Sequence, residues 1–319
     1  MRPDLQRPIS LVAFMLALLL VLAVVAPGFL SLANLRDIPI NASHVAIAAL
    51  GMLLLIVIGQ IDVSVGAILA ICATLCGLAA KAGWGAAEIA LMSAAAGGAL
   101  GFVNGALVTT FSVHSIVVTL GMLSIYRGLL IFFTGGTWIY DLPASFGAIG
   151  QGTLMGIPNP VIVTILLYVA GGFLLANTRV GRELFAVGSN PHAARLAGVS
   201  ITRIQLLAFT LNGVLVGIAA LLFASRFTVI QSNAGMGFEF AVITAVVVGG
   251  ASIFGGSGTV LGTLLGALVI SFASTALVFL GVSSLWEQAM MGGFVLAAVL
   301  LDRVRFFDGL RRLRDGAPS

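Results

Sequence analysis

Four charged residues lie within or at the edges of long apolar runs: Asp62, Arg127, Glu239 and Glu287. Charged side chains are costly in hydrocarbon and face a bundle interior, a cavity or an interface when they occur there. Asp62 sits in Gly59-Gln60-Ile61-Asp62-Val63-Ser64-Val65-Gly66, a break between two apolar halves. Asp62 or Ser64 there can cap the helix that follows or contact a ligand. Glu239 follows Gly235-Met236-Gly237-Phe238 and opens another apolar run, where an acid suits the positive end of a helix dipole. The other chemistry-bearing patterns are absent. There is no G-x-x-x-x-G-K-[ST] phosphate loop, so the chain does not hydrolyse ATP by that mechanism. His44, His114 and His192 are scattered, no G-x-S-x-G elbow occurs, and no metal-ligand spacing is found, so no enzymatic role is expected and no metal site.

Polar residues inside apolar runs are the remaining candidates. Asn41, Ser43, Asn104, Thr119, Asn212 and Thr244 could line a path for a hydroxylated solute. Such residues also bond their own or neighbouring helices in membranes. Gly249-Gly250-Ala251-Ser252-Ile253-Phe254-Gly255-Gly256 lies between two apolar runs rather than after a strand. It reads as a sharp turn or broken helix, with Gly66 and these four glycines as further structural breaks. Gly262 and Gly266 continue as a GxxxG face for close packing within the chain or against a second chain.

The elements that must position these residues follow from composition. Of 319 residues 60% are hydrophobic and only 8% charged, well above the apolar share of a soluble domain. Repeated apolar runs near 20 residues predict an all-α membrane protein, a polytopic helical bundle of about ten transmembrane helices, some broken by glycine. The runs are 10–30, 42–59, 65–80, 87–110, 114–134, 159–177, 204–224, 239–254, 258–280 and 285–301. The first is expected to be retained as a span, because Ala26-Pro27-Gly28 is a poor cleavage site. Cys72 and Cys76, four apart in one run, are expected to be small buried hydrophobes. Ten crossings with the N-terminus in the cytoplasm put eleven of the 15 basic residues inside, including Arg2, Arg7 and the tail Arg303, Arg305, Arg311, Arg312 and Arg314. Only Arg36, Lys81 and Arg226 fall in outside loops, so the net charge of +4 is explained by topology and is no nucleic-acid footprint. The longest outside connection, Gly135 to Pro158, holds Trp138 and Tyr140 and is expected to be an interfacial loop with a short helix.

The longest polar interruption is Thr178 to Arg203, with Arg179, Arg182, Arg195 and Arg203. It is expected on the cytoplasmic side. Ser189 or Asn190 can cap a helix, Pro191 suits its first position and Gly198 its end. A helix of about two turns is not stable alone and must rest on something.

This segment, GRELFAVGSNPHAARLAGVSITR, resembles the coupling segment of permease subunits in ribose-type ABC sugar importers. The resemblance continues in FEFAVITAVVVGGASIFGGSGTVLGTLLGALVI and in IGQIDVSVGAILAI, and covers about Asn34 to Asp302. The chain departs from the family pattern at Gly59–Gln60, where paired glycines are usual, and at Ser115, where a proline or another small residue is common. The resemblance implies one transmembrane permease domain over 1–319, with 178–203 as its cytoplasmic coupling segment. Gly181, Arg182, Gly188, Asn190 and Pro191 would meet a cytoplasmic ABC ATPase, together with Ala193, Ala194, Arg195 and Gly198. That ATPase would use ATP and Mg; the permease would hold no cofactor. A periplasmic or extracytoplasmic solute-binding protein would deliver the solute to the surface around 135–158. A second permease subunit, identical or related, would complete the passage in the lipid membrane. The implied substrate is a monosaccharide or autoinducer-2, and the implied location the bacterial inner membrane. Two other classes are a secondary transporter driven by an ion gradient through Asp62 or Glu239, and a membrane scaffold with no solute flux.

Overall fold

A computed structural model describes residues 3–296 apart from 228, 284, 285 and 295. Arg2 and the tail arginines lie outside the described residues, as do 285, 295 and 297–301 of the last run, of which 286–294 are helical. The described chain is helical throughout, with one two-stranded antiparallel hairpin, β1 (Thr153–Leu154) and β2 (Ile157–Pro158). Six helices are long and apolar enough to cross a membrane: α2 (Leu32–Val57), α4 (Ala86–Phe111), α5 (Ser115–Thr134), α7 (Asn159–Asn177), α10 (Ile201–Arg226) and α12 (Val260–Phe279). The remaining apolar helices are α1 (Pro3–Val25), α3 (Val65–Lys81) and α11 (Phe238–Val248).

α2 is the central post. It is apolar on every side, as a helix surrounded by other helices must be, and from Val45 to Val57 it is buried. It begins ten residues before the run expected at 42, because Pro39 is absorbed inside the helix. Ser43 Oγ donates to the Pro39 carbonyl at 2.8 Å, and Ser31 accepts from Asn34 N–H at the N-terminus. α10, α12, α11 and α7 pack around it.

Two glycine seams bring helix backbones together. α4 meets α10 through Gly97, Gly101 and Gly105 against Phe209, Gly213 and Gly217, and a methyl added at Gly97 would overlap the Gly213 carbonyl. Ser93 Oγ bridges the same seam, donating to Gly217 O at 2.7 Å. α11 meets α12 in the same way: Gly262 and Gly266 sit against the carbonyls of Gly249 and Ala245. The GxxxG face is therefore spent within the chain. Cys72 and Cys76 are free and fully buried, as their apolar setting predicts.

The two short helices follow breaks. α2 ends at Val57, and Gly59 in the left-handed region (φ 71°) lets Gln60 N–H return to Leu55 O at 2.9 Å. Residues 58–64 then run back beside α4 and α5 before α3 begins. Around the outside, Phe132 and Phe133 on α5 are each 79% exposed, and Val169 and Phe173 on α7 are 67% and 62% exposed. Apolar faces of this extent suit acyl chains, not water.

Candidate functional site

The break at 58–64 is held by a polar knot. Asp62 is fully buried. Its Oδ1 accepts from Ser64 N–H at 2.9 Å and Ser64 Oγ at 2.6 Å. Its Oδ2 accepts from Asn212 Nδ2 of α10 at 3.1 Å. Asn104 Nδ2 of α4 lies 2.7 Å from Ser64 Oγ and 3.3 Å from Asp62 Oδ2. Tyr126 Oη of α5 donates to Asn104 Oδ1 at 3.1 Å. The backbone of the break is fixed as well: Ile61 N–H donates to Ser115 Oγ at 3.1 Å and Val63 N–H to Thr119 Oγ1 at 3.0 Å. Buried polar groups in hydrocarbon need such partners. Asp62 thus fixes its own break by accepting from Ser64, and neither residue makes a side-chain cap on α3.

Three of the residues read from the sequence as path candidates, Asn104, Thr119 and Asn212, therefore belong to this knot. Ser43 bonds its own helix, and Thr244 Oγ1 reaches Phe240 O of its own helix and Met291 O. Asn41 alone of the six lines the cavity described next.

That cavity, about 690 Å³, lies between α2, α10, α12, the start of α11 and residues 287–291. Its volume falls in the range of small-molecule sites, roughly 300–1,000 Å³. One wall is aromatic. The His44 ring stacks on Phe238 (centroids 5.9 Å apart, 13° between planes) and tilts against Phe223 (5.5 Å, 60°). Polar groups converge from the other sides: Asn41, Ser274, Thr275, Glu287 and Gln288. Asn41 is positioned by Arg226, whose Nε donates to Asn41 Oδ1 at 2.9 Å while Nη2 lies 3.3 Å from Asp37. The floor is Gly235–Phe238, in which Gly235 and Gly237 are left-handed. Beneath it, Arg127 Nη1 donates to Ala234 O at 2.6 Å, and Glu239 packs against Gly66 with Oε2 unpartnered among the described residues. His44, Ser274 and Gln288 are absent from the residues singled out by sequence. The spacing of Asn41 and His44, three apart on one helix face, is the signal that points to two of the wall groups.

The polar segment is built of two helices, α8 (Arg179–Ser189) and α9 (Pro191–Leu196). Thr178 and Asn190 cap them, accepting from Gly181 N–H and Ala193 N–H at 3.2 and 3.0 Å. Gly198 (φ 82°) ends α9 as the sequence predicts. Arg182, Asn190, Pro191, Ala193, Arg195 and Gly198 are exposed, and Leu196 beside them is 78% exposed. Gly181 and Ala194 are buried against the chain itself.

Gly188 carries the connection inward. A methyl there would overlap the Val57 carbonyl and come within 2.7 Å of Gly256 N. Gly256 N–H donates to Val57 O at 2.8 Å, and a methyl at Gly255 would lie 3.1 Å from Gly188 O and from Gly59 N. Three stretches of backbone, 57–59, 188–189 and 255–256, thus touch with no side chain between them. The junction lies at the Val57 end of α2. His44 lies thirteen residues along that 26-residue helix, near its middle and ~20 Å away at 1.5 Å per residue, so the cavity begins well apart from the junction, on the side away from it. The cavity end also gathers Lys81, whose Nζ donates to Tyr140 O at 3.1 Å, and α6 (Ala144–Gln151), whose Gln151 Nε2 donates to Arg226 O at 2.9 Å.

Residues 34–300 match the family described as branched-chain amino acid transport system / permease component. The chain is 38% identical over 299 residues to the autoinducer 2 import system permease protein LsrC of Yersinia pseudotuberculosis serotype O:3 (strain YPIII), covering 94% of this chain and 83% of that one. It is equally similar, with the same coverage, to the LsrC protein of Yersinia pestis (strain Pestoides F). No solved structure matches.

Proposed function

The chain belongs to this family of transport-system permease components, and we propose that it works as the membrane-crossing subunit of an ATP-driven importer in a bacterial inner membrane, moving a monosaccharide or autoinducer-2. It supplies no bond-breaking chemistry. A partner ATPase consumes ATP and Mg and grips the exposed face of α8 and α9 through Arg182, Asn190, Pro191, Ala193, Arg195 and Gly198. A solute-binding protein delivers its cargo at the other end, around 135–158, and a second permease subunit completes the passage.

The observation that carries this reading is the backbone junction. An exposed, helix-capped segment rests directly on the end of α2 and on the turn that follows α11. α11 is 11 residues long, about 16 Å at 1.5 Å per residue, and its other end is the cavity floor. A push on α8 and α9 therefore reaches the floor through one short rigid helix. Closing the ATPases on ATP would move that floor and expose the cavity to alternate sides.

Leu196→Asp tests it, because Leu196 is 78% exposed on that face. The variant is expected to keep its membrane fold and to lose co-purifying ATPase by about tenfold or more, the scale of one buried apolar anchor. Full recovery of ATPase with Leu196→Asp would remove the coupling role of α9.

A further inference from the structure

We propose that the cavity beside His44 is itself a selective site for a small, neutral, polyhydroxylated solute, with His44 as the residue that determines specificity. The inference rests on the permease reading above and adds that selection occurs within this chain, in addition to any made by the protein that delivers the solute.

The first argument is spare hydrogen-bonding capacity. Among the described residues the His44 imidazole, the Ser274 hydroxyl and the Gln288 amide make no hydrogen bond, although all three line the cavity. Asn41 has its carbonyl oxygen committed to Arg226 and its amide N–H groups left over. In a helix bundle a serine ordinarily satisfies itself on its own backbone, as Thr275 does with Ser271 O at 2.8 Å. Four side chains with donors and acceptors to spare, brought from α2, α12 and residue 288 to one cavity, are placed to meet hydroxyl groups.

The second argument is shape. Phe223 and Phe238 close on the His44 ring and hold it in one orientation. They also give an apolar surface on which the C–H face of a sugar ring can lie, with its hydroxyls turned toward the polar walls. Apolar walls with a few placed polar groups are the usual composition of a small-molecule site.

The third argument is charge. Among the described residues Glu287 is the one carboxylate in the lining, and no lysine or arginine lines the cavity. Arg226, the nearest guanidinium behind the wall, is taken up by Asn41 and Asp37. A zwitterionic amino acid would bring its carboxylate beside Glu287 with no cation among the described lining residues to pair it, which is costly. A neutral polyol has no such cost. The family description names amino acids and the similar proteins name autoinducer 2; the lining chooses the second chemistry.

The experiment uses the complete assembly of this chain with its ATPase, its partner permease and its binding protein, reconstituted in liposomes. Uptake of D-ribose, autoinducer-2 and L-leucine is measured beside ATP hydrolysis stimulated by the binding protein. Wild type is expected to move a polyol and not leucine. His44→Phe keeps the aromatic stack and removes the hydrogen bonds. It should lower polyol uptake about tenfold, the scale of one or two lost hydrogen bonds, with stimulated hydrolysis intact. His44→Gln restores a donor and an acceptor and should recover most of the uptake. Full polyol uptake by His44→Phe would overturn the inference and leave the importer reading standing, as would equal losses in His44→Phe and His44→Gln. So would wild-type uptake of leucine alone. A wild-type assembly with no stimulated hydrolysis and no uptake would sink the importer reading and this inference with it.

Discussion

Asp62 shows how one residue can be read correctly as important and still be assigned its surroundings only by the structure. The sequence marks it as the acid in a glycine-flanked break, and that is what it is. Its partners Asn104 and Asn212 lie 42 and 150 residues away, and no spacing rule connects them to it. Each reads in isolation as a polar group facing a path, because periodicity gives the face of a helix and not which neighbour meets that face. The chemistry of the knot makes a sharp prediction. Asp62→Asn keeps one oxygen for Ser64 and, with the Asn212 amide turned over, can pair its new amide with Asn212 Oδ1, which is buried without a partner among the described residues. It should be nearly silent in uptake. Asp62→Ala orphans several buried donors at roughly 1–3 kcal/mol each, and should lower the melting temperature and the folded yield in detergent. An ion-driven transporter using this carboxylate would give the reverse order, with Asp62→Asn folded and inactive. Thermal melts and uptake of the two variants decide it.

Among the elements, the apolar runs were legible and their ends were not. The helices found at 65–81, 86–111, 115–134 and 159–177 agree with the expected runs to within a residue or so. α2 differs most, because Pro39 and the polar residues around it look like a loop until α10 and α12 are seen to shield them. The polar segment was legible in its caps: Asn190, Pro191 and Gly198 do what their types allow. What lay beyond reading was that α8 precedes α9, and that Gly188 faces two other glycine-rich breaks. Ala194 faces its own chain, so a charge there would unseat α9 rather than mark a partner's footprint. Gly188→Val is the element-scale test. Its side chain would collide with Val57 O and separate the segment from α2. ATP hydrolysis in the assembly should continue, with stimulation by the binding protein reduced at least tenfold and uptake lost. The clash is with backbone, which must shift to admit any side chain, so the folded yield of the variant in detergent is measured beside the assay.

For the whole molecule, the residues assigned to outer loops by charge collect at one end, and the polar segment with its junction at the other. Lys81, Tyr140, Gln151 and Arg226 touch one another's chain segments, and none lies near Gly188 or Gly256. Sidedness can be measured directly. Cys72 and Cys76 are buried and should not react with a membrane-impermeant maleimide. Met155→Cys, at a site 96% exposed in the hairpin turn, should label in intact spheroplasts. Leu196→Cys should label only after permeabilisation. Exchange of the two patterns would invert the molecule in the membrane and place the four arginines of the polar segment outside.

The Asp62 knot also has a consequence for biosynthesis. The break at 58–64 leaves the ribosome well before the helix that completes its bonding, since Asn212 follows Asp62 by 150 residues. At ~5–20 residues per second that interval is on the order of ten seconds. During it, a carboxylate destined for the membrane interior has Ser64 beside it and gains Asn104 only as α4 is made. The early helices must wait in a half-finished arrangement, sheltered by the insertion machinery or by one another, until α10 enters and supplies the last amide.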